Sequence, residues 1–119
     1  MLPHRDPFLL LDRITTLVPG ISGTAVVMVS TNAPFPQILL VECLAQLAGI
    51  VAAREEQEGG FLAALQRAAF GRLPQAGDQL LVSASITAAF GRLCQVSGRV
   101  TCQGEELLAA EMTLGIGSL

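Results

Sequence analysis

From Leu80 onward, apolar and polar side chains alternate. Leu80, Val82, Ala84, Ile86, Ala88 and Phe90 form one set, and Ser83, Ser85 and Thr87 fall in the other. A period of two marks a half-buried strand, because successive side chains point to opposite faces. After Gly91-Arg92, the residues Cys94, Val96, Gly98, Val100 and Cys102 alternate with Gln95, Ser97, Arg99 and Thr101. After Gln103-Gly104, a last run sets Leu108, Ala110, Met112, Leu114 and Ile116 against Ala109, Glu111 and Thr113. Three such runs joined by short turns predict an antiparallel meander.

Upstream the signals are shorter. Pro3 and Pro7 break regular structure, so a turn or short helix leads into a strand over about 10–17. Pro19-Gly20 turns the chain, and the β-branched run 22–30 reads as a second strand. A loop covers 32–36. Residues 37–54 are dominated by Leu, Ala, Glu and Gln and predict a helix that is apolar nearly all round, hence one buried on every side. Residues 54–58 read as its solvated end, stopped by Gly59-Gly60. Residues 61–70 stay open: propensity says helix, whereas their length and flanking glycines permit a strand. Residues 73–78 form a turn. The sum is an α+β chain, one domain over 1–119, with an antiparallel sheet wrapped round an apolar helix.

Composition adds a partner. Hydrophobic residues make up 51% of the chain and charged residues 14%. A domain of this size has too few polar groups to cover its surface, so some apolar surface is expected to meet another subunit. The same numbers exclude a disordered chain. All seven cations are arginines and stand singly, and the net charge is -3, which argues against nucleic-acid binding. The apolar run 38–53 is short for a bilayer span and carries Glu42 and Gln46, so it reads as a core helix and no membrane association is expected. Cys43, Cys94 and Cys102 match no metal spacing and read as small buried hydrophobes. No signal-peptide pattern opens the chain, and the expected compartment is cytoplasmic. No metal or cofactor is expected.

Glu42 is the sharpest candidate for chemistry. It and Gln46 interrupt the apolar helix four residues apart, hence on one face. A carboxylate there must be desolvated, hydrogen-bonded or facing a cavity. Desolvation would raise its pKa and suit it to proton transfer. The alternative is a structural ion pair with an arginine or with backbone donors. His4 is the only histidine and reads as a local hydrogen-bonding residue near the N-terminus.

Four segments together resemble a known family. Leu2-Pro3-His4-Arg5-Asp6-Pro7-Phe8-Leu9-Leu10-Leu11-Asp12-Arg13 resembles the opening motif of the FabZ-type (3R)-hydroxyacyl-[acyl-carrier-protein] dehydratases. Asn32-Ala33-Pro34-Phe35, Glu42-Cys43-Leu44-Ala45-Gln46 and Ala76-Gly77-Asp78-Gln79-Leu80 are similar to later segments of that family, in the same order. The resemblance implies a hotdog fold, a curved antiparallel sheet around a long central helix, and it puts 61–70 on a strand. It implies a homodimer, or an assembly of dimers, with acyl tunnels at the interface. The ligand would be an acyl thioester of acyl carrier protein or coenzyme A. It maps the catalytic acid onto Glu42 and the following glutamine onto Gln46. If the chain is an enzyme, the helix N-terminus near Gln37 to Leu39 is expected to polarise the thioester carbonyl, with Gln37 and Ile38 binding the substrate. The chain also departs from the family, which places a Gly-His-Phe-Pro-Gly loop before the helix. Here Pro34-Phe35-Pro36-Gln37 runs directly into Ile38. Two functions therefore stay open: a dehydratase-like enzyme (or thioesterase relative) of weak or altered activity, and a non-catalytic acyl- or carrier-protein-binding subunit.

Overall fold

The computed structural model describes residues 10–30 and 35–118. Its elements in chain order are β1 (Arg13–Val18), β2 (Ser22–Met28), α1 (Ile38–Ala52), β3 (Glu58–Phe70), β4 (Gln79–Phe90), β5 (Leu93–Cys102) and β6 (Glu105–Ser118). The strands form one sheet in the order β1-β2-β4-β5-β6-β3, and every neighbouring pair is antiparallel. The sheet curves around α1, which touches each strand from β2 to β6.

The meander forms as the alternation predicts, and its turns are set locally. Gln103 and Gly104 both take positive φ, +50° and +84°, as a two-residue turn of mirror-image type requires. Gly91, at +58°, opens the β4–β5 turn in the same region. Val96, Val100, Leu108, Met112 and Leu114 point inward and are buried against Leu40, Leu44 and Leu47 of the helix.

Three expectations need correction. Ala88 and Phe90 do not join the inward set of β4. The register shifts between Ile86 and Ala88, so Ala88 pairs with exposed Gln95 and Phe90 with exposed Leu93. The extra residue of a bulge reverses the side-chain alternation beyond it, and Phe90 ends 67% exposed. Second, residues 61–70 are strand, as the resemblance implied. The strand begins earlier, at Glu58, so Gly59-Gly60 lie inside it and do not end the helix, which stops at Ala52. Third, Glu58 is not a solvated helix end. It is only 7% exposed. One carboxylate oxygen accepts the Arg54 backbone N–H at 2.8 Å, and the other accepts from the Arg92 guanidinium. The remaining boundaries move by a few residues: β1 starts at Arg13, β2 ends at Met28 and α1 starts at Ile38.

Among the described residues, β3 and β1 are the edge strands of the sheet. Most of β3 is exposed, although it carries Phe61, Leu62, Leu65 and Phe70. A long apolar edge invites pairing with another chain.

Candidate active site

The helix shows why one side of it differs from the rest. Leu40, Leu44, Leu47 and Val51 are fully buried under the sheet. Ile38, Glu42, Gln46 and Ile50 recur every fourth position and share a stripe on the other side. Ile38 is 58% exposed, Glu42 is exposed, and Gln46 and Ile50 are partly covered. The expectation of a helix buried all round by its own chain is therefore corrected. A sheet with two free edges wraps most of α1 and leaves this stripe uncovered. Within one chain Glu42 is not desolvated; any desolvation must come from what packs on the stripe.

The flanking groups are held from both sides. Gln46 accepts the backbone N–H of Leu10 through Oε1 at 2.8 Å, which ties the helix to the chain entering β1. Asp12, just before β1, accepts the Met28 N–H at 2.6 Å. Cys43, next to Glu42 in the chain, is fully buried. Burial first, then the charges of Asp12 and Glu42, push its thiol up to about 12, so it stays protonated and unreactive at neutral pH. Cys94 and Cys102 are also buried and unpaired, as read from the sequence.

On the β3 side, Gln37 donates its side-chain N–H to the Gly71 carbonyl at 3.1 Å, which fastens the helix start to the end of β3. The Leu39 N–H donates to Pro36 O and the Leu40 N–H to Gln37 O, both at 3.0 Å. Of the donors expected near Gln37 to Leu39, that of Leu39 is thus occupied within the first turn. About three turns further along α1, Gly49 meets Gly60 backbone to backbone: a Cβ on Gly49 would stand 2.7 Å from the Gly60 nitrogen. Leu62 and Leu65 pair directly with Leu114 and Met112, which are buried under the helix. Directly paired residues share a face, so both leucines look inward, yet they remain 36% and 39% exposed.

The structure thus brings Glu42 and Gln46 onto one open face, with Ile38 beside them and Gln37 committed to β3. His4 and residues 31–34 lie outside the described residues. Sequence reading missed Asp12, Leu62 and Leu65 as neighbours of this face. The register shifts of β3 erase the alternation that would have marked the two leucines.

A curved antiparallel sheet around one central helix, with a carboxylate on the helix's uncovered side, defines a hotdog protein. Solved structures agree on the fold. The dehydratase heterocomplex ApeI:P of Xenorhabdus doucetiae superposes with a TM-score of 0.75 at 16% identity, over 98% of this chain and 88% of that one. A hypothetical thioesterase with coenzyme A from Streptococcus pneumoniae gives 0.70 at 16% identity, over 89% and 85%. The chain belongs to the family of the 3-hydroxyacyl-[acyl-carrier-protein] dehydratase FabZ: it is 33% identical to that protein of Listeria monocytogenes over 100% of this chain and 92% of the relative. That alignment spans 133 positions against 119 residues here, which leaves 14 positions of the relative without a counterpart. No protein-family model matches the chain. No helix among the described residues is long and apolar enough to cross a membrane.

Proposed function

We propose that this chain is a dehydratase-like protein acting on 3-hydroxyacyl thioesters of acyl carrier protein or coenzyme A in the cytoplasm, with Glu42 as its proton-transfer group. The observation that carries this reading is the place of Glu42: it is the only acid on the uncovered side of the central helix in a chain of the FabZ family. Dehydration removes the proton on the carbon beside the thioester carbonyl and protonates the departing hydroxyl. One carboxylate serves both steps in turn, taking the first proton and delivering it to the leaving oxygen. Gln46, one turn further along, lines the same face.

A second copy of the chain completes the site. The stripe from Ile38 to Ile50 and the free edge of β3 form the surface it covers. Enclosure there removes Glu42 from bulk water. Activity is expected to be weak or altered. A histidine loop missing before α1 would account for part of the 14-position shortfall against the relative. Removing a positioned acid–base partner costs about 10²–10⁴-fold.

A second reading is a partner subunit that binds acyl groups or a carrier protein and leaves chemistry to a complete dehydratase. The same shortfall supports it, and so does the likeness to a protein described as a dehydratase heterocomplex. A thioesterase relative, with Glu42 activating water, takes support from the likeness to the pneumococcal protein. One assay separates the three. The purified chain is incubated with crotonyl and 3-hydroxybutyryl pantetheine, alone and with a histidine-bearing dehydratase. Interconversion by the chain alone supports the dehydratase, an inactive chain that changes the rate or chain-length preference of the histidine-bearing dehydratase supports the partner subunit, and release of free thiol supports the thioesterase. No interconversion by the chain alone contradicts the proposed enzyme.

A further inference from the structure

We infer that Arg72 is a positioning residue of the candidate site: acting through the turn between β3 and β4, it fixes the chain on both approaches to α1 and so sets where Glu42 stands. The inference rests on the reading of Glu42 above and adds to it a residue outside the helix.

The start of α1 lacks the usual local fastening. Gln37, the residue before it, makes no capping hydrogen bond with its side chain, and the first turn carries no acid. A helix start leaves several backbone N–H groups without partners in the helix, and an uncapped one is weaker. Glu42 sits in the second turn, next to that weak start.

Residues 71–78 supply the missing hold. The Gln37 side chain donates to the Gly71 carbonyl at 3.1 Å. On the other approach, the Val29 N–H donates to the Asp78 carbonyl at 2.9 Å, and the Val29 carbonyl accepts the Gly77 N–H at 3.0 Å. One turn therefore grips the chain where it leaves β2 and again where it enters α1.

Arg72 braces that turn. Its guanidinium donates to Asp78 Oδ2 at 2.9 Å, to the Leu73 carbonyl at 3.0 Å and to Glu105 Oε1 at 3.1 Å. The same Asp78 oxygen accepts the Gln75 N–H at 2.8 Å. The Arg72 and Asp78 side chains are partly buried, whereas those of the Arg67–Glu111 pair are exposed, so water screens the first pair less. Glu105 opens β6, and the Gly71 N–H donates to the Leu107 carbonyl of that strand at 2.9 Å. The turn is thus anchored to a strand whose Leu108, Met112 and Leu114 pack in the core with the helix. Removing Arg72 takes the cation from Asp78 and loosens the turn that carries both ties. A misplacement of about 1 Å at a reacting group costs on the order of 10²-fold in rate.

The test reads amide hydrogen exchange by mass spectrometry on the full chain. Arg72→Ala is expected to speed exchange over residues 38–44 at least tenfold, while residues 94–101 keep the natural rate. Arg67→Ala is the control and is expected to change neither segment. Equal acceleration of both segments in Arg72→Ala makes Arg72 a general support of the fold and overturns the inference, and so does an unchanged rate over 38–44. Should that variant fail to fold, Gln37→Ala removes the Gly71 tie alone and is judged by the same two segments. Exchange is measured without turnover, so a failure of the Glu42 chemistry leaves this result standing. In the hydration of a crotonyl thioester, Arg72→Ala is expected to lower kcat at least tenfold with KM changed less than threefold. Arg72→Lys, which keeps a cation beside Asp78, is expected to recover part of the rate. A raised KM at unchanged kcat overturns the positioning role.

Discussion

Leu44 presses so closely on Gly98 that a Cβ at Gly98 would lie 2.3 Å from Leu44 Cδ1 and 2.7 Å from the Ser83 carbonyl oxygen. This contact seats the middle of α1 on β5, on the side of the helix away from Glu42. Gly98→Val forces both the helix and β4 to move. Overpacking of this kind costs about 1–3 kcal/mol, read as a lower urea midpoint with unchanged slope. A midpoint equal to that of the natural chain would show that the helix floats above the sheet.

Glu58 makes stability depend on acid. The Arg54 backbone N–H and then the Arg92 guanidinium hold its carboxyl below the ordinary 4.5. Its native pKa is depressed, so the unfolded chain binds the proton more readily. The stabilisation is complete above the ordinary value and is lost as pH falls from there through the lowered native value. Asp78 is shifted in the same direction by the Gln75 N–H and Arg72 and adds its own share. Glu58→Gln is expected to flatten part of the acid limb of the melting temperature below the ordinary value of 4.5. A limb as steep as before assigns the whole of it to other carboxylates.

Ile38 is 58% exposed at the head of the open stripe. If a second copy covers that stripe, Ile38→Asp places a charge in the contact. The natural chain is expected to run at the two-chain mass in light scattering, and the variant to shift towards the one-chain mass at micromolar concentration. A natural chain that stays single at high concentration removes the subunit cover from Glu42.

Much of the fold was legible because its core is written in local periods. The strands of the meander and the central helix follow from alternation and from one long apolar run. β3 was not legible on its own. Leu62, Ala63, Ala64, Leu65, Gln66 and Arg67 favour helix, and the ladder with β6 overrides them. Phe90 was misplaced because a single extra residue near Thr87 flips every side chain after it. Glu58 was misread because its partner, Arg92, is 34 residues away. At the site, the spacing of Glu42 and Gln46 marked one helical face. Which way that face looks depends on where the sheet stops, and no local pattern encodes that.

The most direct test of the account compares the natural chain with Glu42→Gln in the hydration of a crotonyl thioester, followed by loss of the enoyl absorbance. Glu42 makes no ion pair among the described residues, so the substitution is expected to leave the chain folded, as its melting curve checks. The account predicts at least a hundredfold loss of rate in the variant. Equal rates for the two proteins would contradict it.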